Sequence, residues 1–150
     1  MKKLILIVFL SLITTLSIFG QNINAEQIIN RGVSMIGNTV PNGFQYSHDS
    51  NSGRVYRNNE GFTVITVEGK IIYILYSISA SNENKLMSDS ELFLNYFGNL
   101  NNNWFLLGWV GGDQVREVVY WRNGIRSVVI TDGREMSTFI EIFEGDNTPI

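Results

Sequence analysis

Few residues in this chain of 150 could do chemistry, and their spacing decides what each is worth. His48-Asp49-Ser50 carries the letters of a catalytic triad and holds the sole histidine. Consecutive residues cannot readily stack as nucleophile, base and orienter, because triad groups converge through the fold. The expected setting is a solvated polar loop. Asp49, Asn51, Gly53 and Glu60 stand where positions 1, 3, 5 and 12 of a calcium loop would stand. Arg54, however, replaces the glycine needed for the sharp turn, and Gly53 brings no side-chain oxygen. With one histidine and no cysteine, no transition-metal set is expected. Glu68 and Asp132 could form a carboxylate pair, but each adjoins a glycine in a hairpin-turn pattern, where carboxyls face water. Gly111-Gly112-Asp113 lacks the strand-to-helix setting of a phosphate cradle. The expectation is a protein that is not an enzyme, with no cofactor and no metal.

The elements that would position any site repeat along the chain. Val55–Ser79 (VYRNNEGFTVITVEGKIIYILYSIS) and Val119–Phe143 (VYWRNGIRSVVITDGREMSTFIEIF) each read as a series of strands. Glu68-Gly69 and Asp132-Gly133 mark matching tight turns, since a type I′ turn favours residues that tolerate positive φ. Ahead of each series lies a helix. Asn24 with Gln27 forms a capping box, followed by Ile29, Val33 and Ile36 on one face and Gly37 as the stop. Sixty-four residues later Ser88, Glu91, Phe93, Phe97 and Leu100 occupy the same places. The same offset maps Val55-Tyr56 onto Val119-Tyr120, Asn59 onto Asn123, Val64 onto Val128 and Ile78 onto Ile142. This register implies an internal duplication, with repeat one at 24–79, a linker at 80–87, repeat two at 88–143 and a tail at 144–150. Two units, each a helix and three or four strands, predict an α+β fold: one antiparallel sheet of about eight strands with both helices on one face.

Alternation along the last strand of each unit sorts side chains between the two faces. Ile72, Ile74, Tyr76 and Ile78, with Met136, Thr138, Ile140 and Ile142, make the expected core face. The other face carries Ile71, Tyr73, Leu75 and Ser77 in one unit, and Glu135, Ser137, Phe139, Glu141 and Phe143 in the other. That face is more apolar than a solvated sheet surface. Trp104, Phe105, Trp109, Tyr120 and Trp121 add aromatic mass, and aromatic residues are common interface anchors. The candidate binding residues are therefore Tyr73, Leu75, Trp109, Tyr120, Trp121, Phe139 and Phe143. Burial in the core or self-association would account for the same side chains.

Residues 1–20 differ from the rest. Lys2 and Lys3 precede an apolar run from Leu4 to Phe19, the pattern of a secretory signal peptide, with cleavage expected after Gly20 and Ala25 as the competing point. Removing it leaves 21–150 as a single α+β domain. That part keeps 9 of the 11 basic residues against 14 acidic ones, a net charge near −5. Such a balance disfavours nucleic acid and anionic lipid. Without cysteine, an exported chain must hold itself together by burial alone. The wealth of asparagine, lysine and isoleucine suggests an AT-rich bacterial genome.

A duplicated helix-plus-antiparallel-sheet unit in an exported chain is similar in outline to β-lactamase inhibitor proteins, whose sheet forms a concave, aromatic-lined binding surface. It also resembles the PepSY module of secreted bacterial proteins. The lack of cysteine departs from the former. The expected function is an exported bacterial non-catalytic module, periplasmic or secreted, recognising a protein or peptide through the sheet face in an inhibitor-like manner. The alternatives are a small apolar-ligand carrier and a membrane-anchored envelope protein of structural role. Membrane contact is expected only if the signal is uncleaved, and a homodimer is compatible with the pattern.

Overall fold

The apolar alternation builds one eight-stranded antiparallel sheet in the computed structural model, which describes residues 23–149. In chain order the elements are α1 (Ala25–Met35), β1 (Gln45–Ser50), β2 (Gly53–Arg57), β3 (Phe62–Val67), β4 (Lys70–Ser79), α2 (Glu83–Gly98), a 3₁₀ turn (Leu100–Asn102), β5 (Phe105–Gly111), β6 (Val115–Arg122), β7 (Ile125–Asp132) and β8 (Ser137–Glu144). The expected signal peptide lies outside the described residues. Ala25, the competing cleavage point, opens α1 and is buried.

Each half supplies a helix followed by a four-stranded meander. The meanders join through their last strands, so the order across the sheet is β1-β2-β3-β4-β8-β7-β6-β5. Tyr73 to Ser79 pair with Phe143 to Ser137 along this seam. Both helices pack on one side, and their side chains enter a common core with Ile74, Ile140 and Ile142. The Tyr96 hydroxyl on α2 donates to Asn30 Oδ1 on α1 at 3.1 Å. Burying side chains as large as Phe93, Phe97, Ile29 and Ile140 contributes about 1.5–3 kcal/mol each, which supports a domain without disulfides.

α1 forms where its cap and stripe predict. Asn24 Oδ1 accepts the Gln27 N–H at 3.0 Å, and Ala25, Ile29, Gly32 and Met35 face the sheet. Gly37, at φ 76°, reverses the chain, and its N–H donates to Ile71 O at 2.8 Å, tying the end of the helix to the start of β4. At Gly32 the helix lies so close to β8 that an added methyl would overlap Ile142 Cδ1.

The second half departs from the expected register at three places. α2 starts at Glu83, inside the segment read as a linker, because Asn82 Oδ1 captures the Lys85 N–H at 2.9 Å. Ser88 consequently sits within the helix rather than capping it. The stripe begins with buried Leu86, runs through Phe93 and Phe97, and stops short of Leu100, which is 94% exposed. The turns also trade places. Glu68-Gly69 closes β3 to β4 with φ of 52° and 78°, whereas the matching two-residue turn of the second half is Asn123-Gly124, at 50° and 81°, between β6 and β7. Asp132-Gly133 instead opens a longer connection in which Met136 takes the positive φ.

A bulge corrects the face assignment at the start of β4. Ile65 pairs with Tyr73 and Thr66 with Ile71, which leaves Ile72 without a partner on β3. Parity therefore inverts there: Ile71 is fully buried in the core and Ile72 is 39% exposed. From Ile74 onward, and along Thr138, Ile140 and Ile142, the core face is the one alternation predicts.

Candidate functional site

The face of the sheet turned away from the helices collects most of the aromatic residues singled out in the sequence. One row crosses it by direct pairing: Phe105 opposite Trp121, Trp121 opposite Arg126, Arg126 opposite Phe143, Phe143 opposite Tyr73 and Tyr73 opposite Ile65. The Tyr73 and Phe143 rings stack with centroids 6.2 Å apart and planes inclined by 21°. Phe105 and Trp121 lie 6.4 Å apart at the other end. The next row runs Val119, Val128, Glu141, Leu75 and Thr63. Beyond it, Ile130 meets Phe139 and Phe139 meets Ser77.

No helix among the described residues covers this face, yet Val119 and Val128 are nearly fully buried. Tyr73, Leu75, Trp121, Phe139 and Phe143, on the same face, stay half-buried. Beside the Tyr73–Phe143 stack opens a hollow of about 560 Å³, lined by Ile65, Ile72, Tyr73 and Phe143, with Ser52 and Glu144 at its rim. The bulge that expels Ile72 from the core thus adds an isoleucine to this hollow.

Burial pushes the Tyr73 phenol well above its ordinary value of 10, and the neighbouring Glu141 carboxylate adds to the shift. Tyr73 is therefore neutral, a hydroxyl donor set among apolar rings. At the other end of the row the tail is pinned. Trp121 Nε1 donates to Gly145 O at 3.0 Å, and Arg126 Nε donates to Asp146 O at 2.9 Å. Arg126 Nη2 reaches Asp146 Oδ1 at 3.2 Å and also donates to Thr148 O.

Two candidate residues stand elsewhere. Tyr120 points to the helix side, where it stacks on Phe97 with centroids 4.7 Å apart and is 8% exposed. Adjacent residues of a strand face opposite ways, so Tyr120 and Trp121 cannot share a surface. Trp109 also lies on the helix side, because it pairs with core residue Val118, but it sits on edge strand β5 and is 68% exposed. Of the other aromatics noted in the sequence, Trp104 joins the core, edge-on to Phe97 at 4.9 Å and under the Arg122 guanidinium at 4.4 Å. Ile65, Phe105, Arg126 and Glu141 were missing from the candidate set. Extending the alternation from β4 and β8 into β3 and β7 would have found the first and third.

The groups considered for chemistry are dispersed. His48 Nδ1 is 3.0 Å from Ser47 Oγ, Ser50 Oγ donates to Gly53 O at 2.9 Å, and Asp49 faces Arg54 at 3.9 Å. Glu60, the last position of the calcium spacing, pairs with Arg31. Asp132 is held below the usual carboxylate range, first by its hydrogen bonds from the Arg134 side chain. Among the described residues no three His, Cys, Asp or Glu side chains converge in a way that could hold a metal ion, and no helix is long and apolar enough to cross a membrane. Comparison of the chain with protein-family models, curated proteins and solved structures gives no match.

Proposed function

We propose that this protein is an exported, non-catalytic binding module that recognises a protein or extended peptide through the sheet face opposite its helices. The observation that carries the reading is the Tyr73–Phe143 stack beside an open apolar hollow, on a face that no helix among the described residues covers. Apolar hollows left open on a sheet face are candidate interaction sites. The Tyr73 hydroxyl, beside the Glu141 carboxylate, places polar groups at the margin of the apolar rings, and Arg126 is already engaged with the tail.

The test is a photo-crosslinking amino acid placed at Leu75 on this face, or at Met87 on the exposed side of α2, in cells making the full chain. The proposal expects a defined adduct from Leu75, absent from Met87 and lost when Tyr73→Ser and Phe139→Ser are combined. Adducts from Met87 alone, or a Leu75 adduct that survives the double substitution, would sink it.

The carrier reading changes place. A carrier of that kind calls for a cavity between sheet and helices; the centre of that layer is filled by Ile29, Phe93, Phe97 and Ile140, each 0–1% exposed, and the opening on that side is a hollow of about 510 Å³ at the margin of α1, lined by Ile28, Arg31, Glu60, Phe62 and Tyr76. An apolar small molecule would take that margin or the hollow at Ile65 and Ile72. Export and cleavage are checked by sequencing the N-terminus of the mature protein: a start at Gln21 supports them, and an intact Met1 moves the protein to the membrane-anchored reading.

A further inference from the structure

The two edges of the sheet are built differently. β1 (Gln45–Ser50) is polar apart from Tyr46 and carries His48 and Asp49, while both edge strands have an irregularity, between Tyr46 and His48 in β1 and between Leu106 and Gly108 in β5. Polar and charged side chains are a usual protection of an open edge. β5 (Phe105–Gly111, FLLGWVG) contains no charge and no proline, and no strand among the described residues pairs with its outer side. It exposes apolar side chains on both faces: Phe105 at 61% and Val110 at 54% on the far side, Leu106 at 58% and Trp109 at 68% on the helix side. An uncharged strand with free backbone groups and apolar residues on both sides is a template for another strand.

We propose that β5 is the interface of a homodimer, pairing antiparallel with β5 of a second copy across a two-fold axis, so that two eight-stranded sheets become one. Three features favour a second copy as the occupant. An uncharged strand sets no like charges against each other when it meets itself, despite the acidic balance of the whole chain. A register centred on Trp109 sets the two Trp109 residues against each other and Gly108 against Val110 of the second copy, and Gly108 and Val110 share a face in both copies. The four exposed side chains offer about 500 Å² of surface per copy along the seam, whose flanks edge-to-edge pairing covers while the two sheet faces stay open, an interface of the small class. This interface lies at the sheet edge; it shares Phe105 with one end of the face proposed above but not the Tyr73–Phe143 stack that carries that reading.

The experiment uses residues 21–150, with mass in solution measured by sedimentation or light scattering. The wild type is expected to be dimeric at about 50 μM. Val110→Lys, which forces an ammonium into the seam, is expected to weaken the dimer about 100-fold or more. Tyr46→Lys on β1 and the Tyr73→Ser/Phe139→Ser pair are expected to leave it intact. Because the chain has no cysteine, Trp109→Cys supplies a single thiol at the two-fold axis, and mild oxidation should give a covalent dimer. That measurement decides the matter should Val110→Lys fail to fold. A wild type monomeric at 50 μM, a dimer that survives Val110→Lys, or a Trp109→Cys chain that does not cross-link overturns the proposal. A dimer lost only in the Tyr73→Ser/Phe139→Ser variant also overturns it, and assigns the sheet face to self-association.

Discussion

Gly32 on α1 and Ile142 on β8 offer a quantitative test of the helix–sheet packing that leaves the far face free. An alanine methyl at position 32 would overlap Ile142 Cδ1, and neither residue has room, since Ile142 is fully buried. Gly32→Ala alone gains up to about 1 kcal/mol of helix propensity and loses about 1–3 kcal/mol to overpacking, a net destabilisation near 1 kcal/mol. Ile142→Val alone removes the overlapping atom and leaves a methyl-sized void, costing about 1 kcal/mol. Together, the new methyl occupies the vacated space and the propensity gain is kept, so the double variant should match the wild type within about 0.5 kcal/mol. The cycle thus predicts a favourable coupling of about 2 kcal/mol, inside the range for side chains in contact. Equilibrium urea unfolding followed by tryptophan fluorescence measures all four proteins. A double variant destabilised by the sum of the singles would show that α1 does not lie on β8, and the case for an uncovered opposite face would lose its foundation.

Other substitutions separate core from surface and cap from interior. Phe97→Ala, which empties the centre of the Trp104–Tyr120 cluster, should cost about 3–5 kcal/mol, while Trp109→Ala should stay within about 0.5 kcal/mol of wild type, both by chemical denaturation at concentrations where the chain is monomeric. Asn82→Ala should cost about 1 kcal/mol of stability and Ser88→Ala almost none; the reverse order would restore the cap read from the sequence. The raised Tyr73 value means that the folded state holds the phenol proton more tightly than the unfolded chain, so its contribution is complete below pH 10 and is lost as pH rises beyond it. Urea midpoints from pH 9 to 11.5 should fall more steeply for the wild type than for Tyr73→Phe, and identical profiles would contradict the burial assigned to that hydroxyl.

Much of the architecture is legible because local rules and tertiary packing agree. The Asn24 cap, the Gly37 stop, the Glu68-Gly69 turn and the aliphatic face through Ile140 and Ile142 all stand where the sequence pattern puts them. The departures arise where two residues qualify for one role. Asn82 and Ser88 are both good caps, and the choice falls to Asn82 because the earlier start buries Leu86. Asn123-Gly124 competes with Asp132-Gly133 for the tight turn, and only strand pairing decides between them. At Ile71-Ile72 alternation cannot register an extra residue, since both are isoleucine and the bulge is set by β3. Of the site, Tyr73, Leu75, Trp121, Phe139 and Phe143 follow from parity. Tyr120 falls outside the site because parity sets it on the side opposite Trp121, and the exposure of Trp109 depends on β5 being an edge, which no local pattern reveals.

The seam between β4 and β8 has a consequence for how the molecule comes into being. The strand at the middle of the sheet is the last one synthesised, so a nascent chain ending before Ser137 has two separate meanders with raw inner borders and no shared interior. Non-local pairing of this kind slows folding, because widely spaced segments must meet before either is rewarded. Completion of the sheet therefore waits until β8 has been made, and a product stalled or clipped before it would present Ile74 and Tyr76 to any passing chain.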